Sequence, residues 1–299
     1  MARKGPAGPG GLIVVDKPAG MTSHDVVGAI RRIAGTRRVG HAGTLDPMAT
    51  GVLVVGVERA TRLLNHLVLT DKSYTATIRL GLATSTDDAQ GEPLVEADAS
   101  GIDPAAIRAG MARLTGEILQ RPSAVSAIKV DGRRAYDRVR AGEDVQLAAR
   151  PVTVSRFDLL AEPEYLDNYC DISVEVDCSS GTYVRALARD LGESLGVGGH
   201  LTALRRTRVG PFGLDQALGL TELGQLADPV TLPLPAAIAA AMPTRLLTEP
   251  EARELSFGRP VPASGIAGTY GGIGPSGEAV ALLVEAQGQA RPVLGFVST

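Results

Sequence analysis

Residues 40–55 read Gly-His-Ala-Gly-Thr-Leu-Asp-Pro-Met-Ala-Thr-Gly-Val-Leu-Val-Val, and no other stretch constrains the fold as strongly. The run Val52–Val55, bounded by turn residues, predicts a buried strand. Before it lie two glycines, Gly43 and Gly51, with Asp46-Pro47 between them. A carboxylate is thereby placed on a constrained loop that runs into a rigid element, where catalytic groups usually sit. The alternative is a turn whose aspartate caps its own backbone.

The chain has 299 residues, 44% hydrophobic and 21% charged, the composition of a globular protein large enough for one main domain and a small one. No apolar stretch approaches the roughly 20 residues needed to span a bilayer. Leu12–Val15, after a Pro/Gly tail over residues 1–10, is too short for a signal peptide. The expectation is a cytoplasmic protein without a membrane partner. The two cysteines, Cys170 and Cys178, are joined by an alternating sequence that predicts a strand. Eight residues of strand span about 26 Å, beyond disulfide reach. With only four histidines in the chain, a structural zinc site is disfavoured and no metal is expected.

Net charge is −3, which taken alone argues against nucleic acid, but the charge is unevenly spread. Residues 212–299 hold eight acids and four bases, leaving the preceding 211 residues at +1. Arginines and lysines cluster at 31–38, at 121–140 (with Arg133 and Arg134) and at 205–208 (Arg205, Arg206, Arg208). Such clusters bind phosphates through counterion release, although surface arginines are commonly only solvated.

Strands are expected at 11–15, 73–81, 151–160, 170–178 and 201–209. Helices are expected after a cap at Thr22 or Ser23, near 59–69, near 103–114, at 133–141 and over 183–195, the last ended by Gly196. Residues 83–104 read as a polar loop region, and 121–146 as an exposed basic insertion. Strands alternating with single helices, without a strict βαβ rhythm, predict an α+β fold with a mixed, largely antiparallel sheet. Past 225, prolines and glycine-punctuated apolar runs predict a small, mostly β C-terminal domain. The expected division is a tail at 1–10, a main domain at 11–242 and the small domain at 243–299.

Four segments carry a resemblance: Asp16-Lys17-Pro18-Ala19-Gly20, Gly40–Gly51, Asp71-Lys72-Ser73-Tyr74 and Ser179-Ser180-Gly181-Thr182-Tyr183-Val184-Arg185. Their order and wording resemble the pseudouridine synthases, and within them the bacterial B group of tRNA pseudouridine synthases, which modifies uridine 55 in the T arm of tRNA. The resemblance runs over about residues 11–210. It implies that Asp46 is the nucleophile, that Tyr74 packs on the target base and that Arg185 pairs with the catalytic carboxylate. It further implies that His41 fills the stack left by the flipped base and that Tyr183 and Leu204 line the base pocket. Lys17 matches a motif lysine that is structural or faces phosphate. With Arg133, Arg134, Arg205 and Arg206 it makes up a candidate set for the RNA backbone. The 121–146 insertion matches a segment that closes over RNA, and residues 243–299 resemble a PUA-like domain, though a shorter and more acidic one.

The chemistry agrees with such roles. Converting uridine to pseudouridine breaks a C–N glycosidic bond and forms a C–C bond to the same sugar, so no cofactor is required. A carboxylate nucleophile splits that step in two, and a base stacked in RNA must flip out to be reached. The expected partner is the T stem-loop of tRNA, with no obligatory protein partner evident. Two rival readings stand beside this one. The first is an RNA-folding chaperone or RNP scaffold on the same fold. The second is a glycosyl hydrolase, which calls for a second carboxylate not found near Asp46. Taken singly, the residues have bland readings too: Tyr74 and Leu204 as core, Arg185 as solvated, His41 as a turn residue.

Overall fold

The computed structural model describes residues 10–68, 70–123, 129–130, 133–134 and 147–297. The chain divides into two units, one of residues 1–47, 51–68 and 209–299 and the other of residues 48–50 and 69–208. As expected, the architecture is α+β with mainly antiparallel strand pairing.

The first unit opens with β1 (Gly11–Lys17), α1 (Ser23–Ile33), β2 (Val39–Ala42) and β3 (Thr50–Val57). β1 runs antiparallel to β3, from Gly11 opposite Val57 to Lys17 opposite Gly51, and β2 also pairs with β3. Successive residues of β1 and β3 enter two different cores. Leu12, Val14, Val52 and Val54 join one; Ile13, Val15, Leu53 and Val55 join the other. Burial on both faces is why these strands read as continuous apolar runs. α1 covers the second core with Val26, Val27 and Ile30. Of the two expected caps it is Thr22 that starts the helix. The Thr22 hydroxyl accepts the Asp25 N–H while the Asp25 carboxylate accepts the Thr22 N–H, and this reciprocal pair satisfies two orphan donors. The helix expected near 59–69 is shorter and broken: a 3-10 turn at Glu58–Arg62 leads into α2 (Leu64–Val68).

The second unit contains β4 (Lys72–Leu80), α3 (Pro104–Arg113), β5 (Gly116–Gln120), β6 (Arg150–Leu159), β7 (Tyr169–Cys178), α4 (Val184–Ser194) and β8 (Gly199–Val209). The strand order is β8-β4-β7-β6-β5. Here alternation governs: Tyr74, Ala76, Ile78 and Leu80 are buried opposite Val176, Val174, Ile172 and Cys170. Both cysteines are free and buried, and burial pushes each thiol up to about 11. Such thiols are inert at neutral pH. α4 packs so closely on the following turn that a Cβ at Gly192 would lie 2.1 Å from the Gly198 carbonyl carbon, an approach open only to glycine.

Two local expectations differ from the structure. The polar region 83–104 holds a short hairpin, Leu82–Thr84 with Pro93–Glu96, whose second strand is wholly exposed and so has no inward apolar period to read. Arg133–Arg134, expected to begin a helix, pair as a two-residue strand with Lys129–Val130; the rest of that expected helix, residues 135–141, lies outside the described residues.

The chain then returns to the first unit. α5 (Leu234–Ala241) precedes a five-stranded sheet in the order Thr244–Leu246, Tyr270–Ile273, Ala279–Ala286, Gln289–Gly295 and Val261–Pro262. One face of this sheet has its own core around Leu247, Leu255, Tyr270 and Leu283. From the other side Ile273, Ala279, Leu282 and Phe296 join Leu12, Val14, Val52 and Val54 in a single cluster. Arg59 and Arg62 add hydrogen bonds to the carbonyls of Phe296 and Gly295, at 2.7 and 2.6 Å. The C-terminal segment therefore has its own sheet and shares the core of the first unit. Among the described residues no helix is long and apolar enough to cross a membrane.

Within the C-terminal sheet, Glu285 gathers four donors: the N–H groups of Ser264 (2.7 Å) and Gly265 (2.8 Å) and the hydroxyls of Ser264 (2.9 Å) and Tyr270 (2.7 Å). These bonds, the Ser264 N–H first, hold its carboxyl down to about 2. A carboxyl depressed on folding stabilises the folded chain above its unfolded pKa, and that contribution disappears as pH falls toward the folded value. Comparison of denaturant melts of wild type and Glu285→Gln should therefore show a stability gap that is widest near neutrality. The gap should close between about pH 4.5 and about pH 2; a pH-independent gap would refute the assignment.

Candidate active site

In the first unit, Asp46 lies on the loop between β2 and β3, half-buried. Its neighbours are pinned on both sides. The Leu45 N–H donates to the Ser23 hydroxyl at 2.9 Å, and that hydroxyl donates to the Leu45 carbonyl at 3.2 Å. The Pro47 carbonyl receives the Gly20 N–H at 2.8 Å and the Lys17 ammonium at 3.2 Å. Ser23 is therefore the first residue of α1 turned back onto the loop. At Gly51, where the loop enters β3, φ is +98°, a conformation in which side chains are strained. An aspartate between two clamped residues keeps its place when a ligand arrives, as a reacting group must. His41, on β2, is half-buried with its ring edge-on to His24, centroids 6.0 Å apart.

Lys17 requires a correction. It is completely buried, and its ammonium donates to the carbonyls of Pro18 (3.0 Å), Met21 (2.6 Å) and Pro47 (3.2 Å). A buried ammonium bonded to three carbonyls is a strut for the turn after β1 and for the Asp46 loop, and it does not face an RNA phosphate. Arg206 is corrected for the same reason: at 1% exposure its guanidinium does not reach a solvated backbone. Arg205 is half-buried, while the side chains of Arg133 and Arg134 lie outside the described residues.

In the second unit, Tyr74 on β4 and Leu204 on β8 are 7% and 8% exposed. Lys72, two residues before Tyr74, is buried and donates to the Thr70 carbonyl at 2.8 Å. Burial, and next the Arg206 guanidinium, brings its ammonium down to about 8. Tyr183 is the residue that precedes α4, and Arg185 lies in the first turn of that helix. Arg185 is buried, donates to the Thr86 carbonyl at 2.8 Å and lies 3.6 Å from the Asp88 carboxylate. Asp88 is itself held by the Thr86 hydroxyl (2.6 Å) and the Gln90 N–H (3.0 Å). One turn along α4, Arg189 pairs with Asp87 at 3.1 Å and with Asp190 at 2.7 Å. A buried guanidinium needs such a partner, since an uncompensated buried charge is costly.

Asp87, Asp88 and Gln120 escaped the sequence reading. The two aspartates sit in what scans as a polar loop. Their signal is the dense Thr84-Ser85-Thr86-Asp87-Asp88 run, rich in side chains that bond nearby backbone. Gln120 stands at an inward position of an alternating strand, Gly116, Ile118 and Gln120, where a polar residue is out of pattern.

Three family models match the chain: the TruB family pseudouridylate synthase N-terminal domain over residues 31–184, the tRNA pseudouridylate synthase B C-terminal domain over 185–231, and the tRNA pseudouridine synthase II C-terminal model over 242–297. The chain is 59% identical over 296 residues to tRNA pseudouridine synthase B of Arthrobacter sp. (strain FB24), covering 96% of each chain. It is likewise 59% identical to that of Nocardia farcinica (strain IFM 10152), covering 95% of this chain and 92% of the relative. Among solved structures it resembles the crystal structure of a Cbf5-Nop10-Gar1 complex at 27% identity and TM-score 0.73, covering 96% of this chain and 85% of that chain. Fold and sequence together define an isomerase of the pseudouridine synthase class, acting on uridine in tRNA. The chain belongs to the TruB family.

Proposed function

We propose that the enzyme isomerises uridine 55 in the T arm of tRNA, with Asp46 as the nucleophile. The observation that carries this reading is the pinning of Leu45 and Pro47 on either side of Asp46, in a chain of this family. A turn aspartate needs no such double clamp; a carboxylate that attacks a flipped nucleotide does. The C1′–N1 bond breaks, the uracil turns, and C1′–C5 forms. The proton on C5 then leaves to solvent and N1 gains one, so the reaction is redox-neutral and needs no cofactor. Tyr74 offers the flipped uracil a stacking face, worth about 1–3 kcal/mol. Arg185 takes the part of the arginine that pairs with the catalytic carboxylate in this family, and Tyr183 and Leu204 line the base. His41 occupies the gap left in the RNA stack, and Arg205, Arg133 and Arg134 meet the backbone of the T stem-loop.

The test is tritium release from tRNA transcripts labelled at uracil C5. Release from wild-type transcripts and none from a transcript lacking uridine at position 55 is the expected result. Release from both would move the site elsewhere in the tRNA. Tight binding of tRNA with no release from any transcript would favour the chaperone or scaffold reading.

A further inference from the structure

Tyr183 is gripped from a direction the sequence motifs do not indicate. Gln120 and Arg150 are direct cross-strand partners on β5 and β6. The Gln120 side chain, 1% exposed, donates from Nε2 to the Tyr183 carbonyl at 3.0 Å and accepts the Tyr183 N–H on Oε1 at 2.8 Å. The Arg150 guanidinium lies over the Tyr183 ring, 5.8 Å from its centroid, within the range of a cation–π contact. One pair of residues thus holds both the backbone and the ring of Tyr183. The need for a clamp is local. Tyr183 is the cap residue of α4 and makes no side-chain cap bond, so this helix start lacks the usual internal fixing. Its carbonyl also receives the Leu187 N–H at 3.2 Å, which links the clamp to the first turn and so to Arg185. A leucine at position 120 would suit the inward position, yet would leave the Tyr183 N–H without its acceptor.

We propose that Gln120 and Arg150 are positioning residues that set the Tyr183 ring and the turn bearing Arg185 for reaction. The proposal rests on the reading of Tyr183 and Arg185 given above. Its test measures kcat, KM and melting temperature for wild type, Gln120→Leu, Gln120→Glu, Arg150→Met, Arg150→Lys and the Leu/Met double variant, with hydrogen exchange at the Tyr183 amide. Gln120→Leu and Arg150→Met should each lower kcat about tenfold, as small misplacements of reacting groups do, with KM changed less than about threefold. Gln120→Glu retains the acceptor and Arg150→Lys the cation, so both should recover part of the loss. The double variant should lose less than the product of the two single losses, because both act on one target. Unchanged kcat with a lowered melting temperature in both single variants would overturn the proposal. If wild type forms no pseudouridine, the uridine reading fails by itself. Exchange at the Tyr183 amide then decides for the clamp: acceleration of about tenfold or more in Gln120→Leu upholds it, and unchanged protection overturns it.

Discussion

Replacing Asp46 with asparagine is expected to lower tritium release from tRNA by roughly a thousandfold or more while tRNA affinity stays within about threefold of wild type. Asparagine has the shape of aspartate and can still bond the backbone in a turn, so the local fold is retained. It lacks the carboxylate oxygen that, on the proposed reading, acts as the nucleophile. The substitution therefore separates the chemical role from the turn role. Single-turnover rates with saturating enzyme, alongside filter binding of the same transcript, read the two effects separately. Near-normal turnover would return Asp46 to the status of a turn residue. Joint loss of turnover, binding and melting temperature would make it a structural residue of the loop.

Lys17→Met is expected to produce the largest loss of stability. Hydrogen bonds to charged groups contribute about 1.5–3 kcal/mol each, and three are lost with the ammonium. Their sum overstates the effect, because methionine also removes the cost of burying a charge. The Pro47 carbonyl, moreover, retains the Gly20 N–H. A net loss of about 3 kcal/mol, or a fall of roughly 6–12 °C in melting temperature, follows. Turnover should fall too, since the strut holds one side of the Asp46 loop. A lysine that contacted phosphate would behave otherwise: its loss would lower the salt slope of tRNA binding by about one unit and leave stability near wild type. Salt titrations and thermal melts of the one variant decide between them.

The course of the chain was largely legible in its sequence because period and punctuation agree. The doubly buried runs of β1 and β3, the alternation of β4 and β7, and α4 stopping before Gly196, where φ is +75°, all lie where residue pattern puts them. The motif residues were legible for a different reason, namely that their wording matches a family. Polar partners fixed by tertiary structure were not legible. Asp88 meets Arg185 across 97 positions of sequence, and Gln120 meets Tyr183 across 63; no local period records such pairings. Lys17 and Arg206 show the converse difficulty. A basic residue beside a functional motif reads as a phosphate contact, and only its burial shows that its charge is spent inside the protein.

The core shared by the C-terminal sheet and β1–β3 bears on how this chain tolerates being cut and recombined. Leu282 and Phe296 fill the same interior as Leu12, Val52 and Val54. A version trimmed after residue 242 would leave the underside of the strand beyond Asp46 open to water instead of shedding an appendage. A chimera that took its last segment from a relative would import half of an interlocking surface. Such grafts should succeed when Ile273, Leu282 and Phe296 travel together with the side chains they face, and should misfold when the halves come from parents whose volumes differ there.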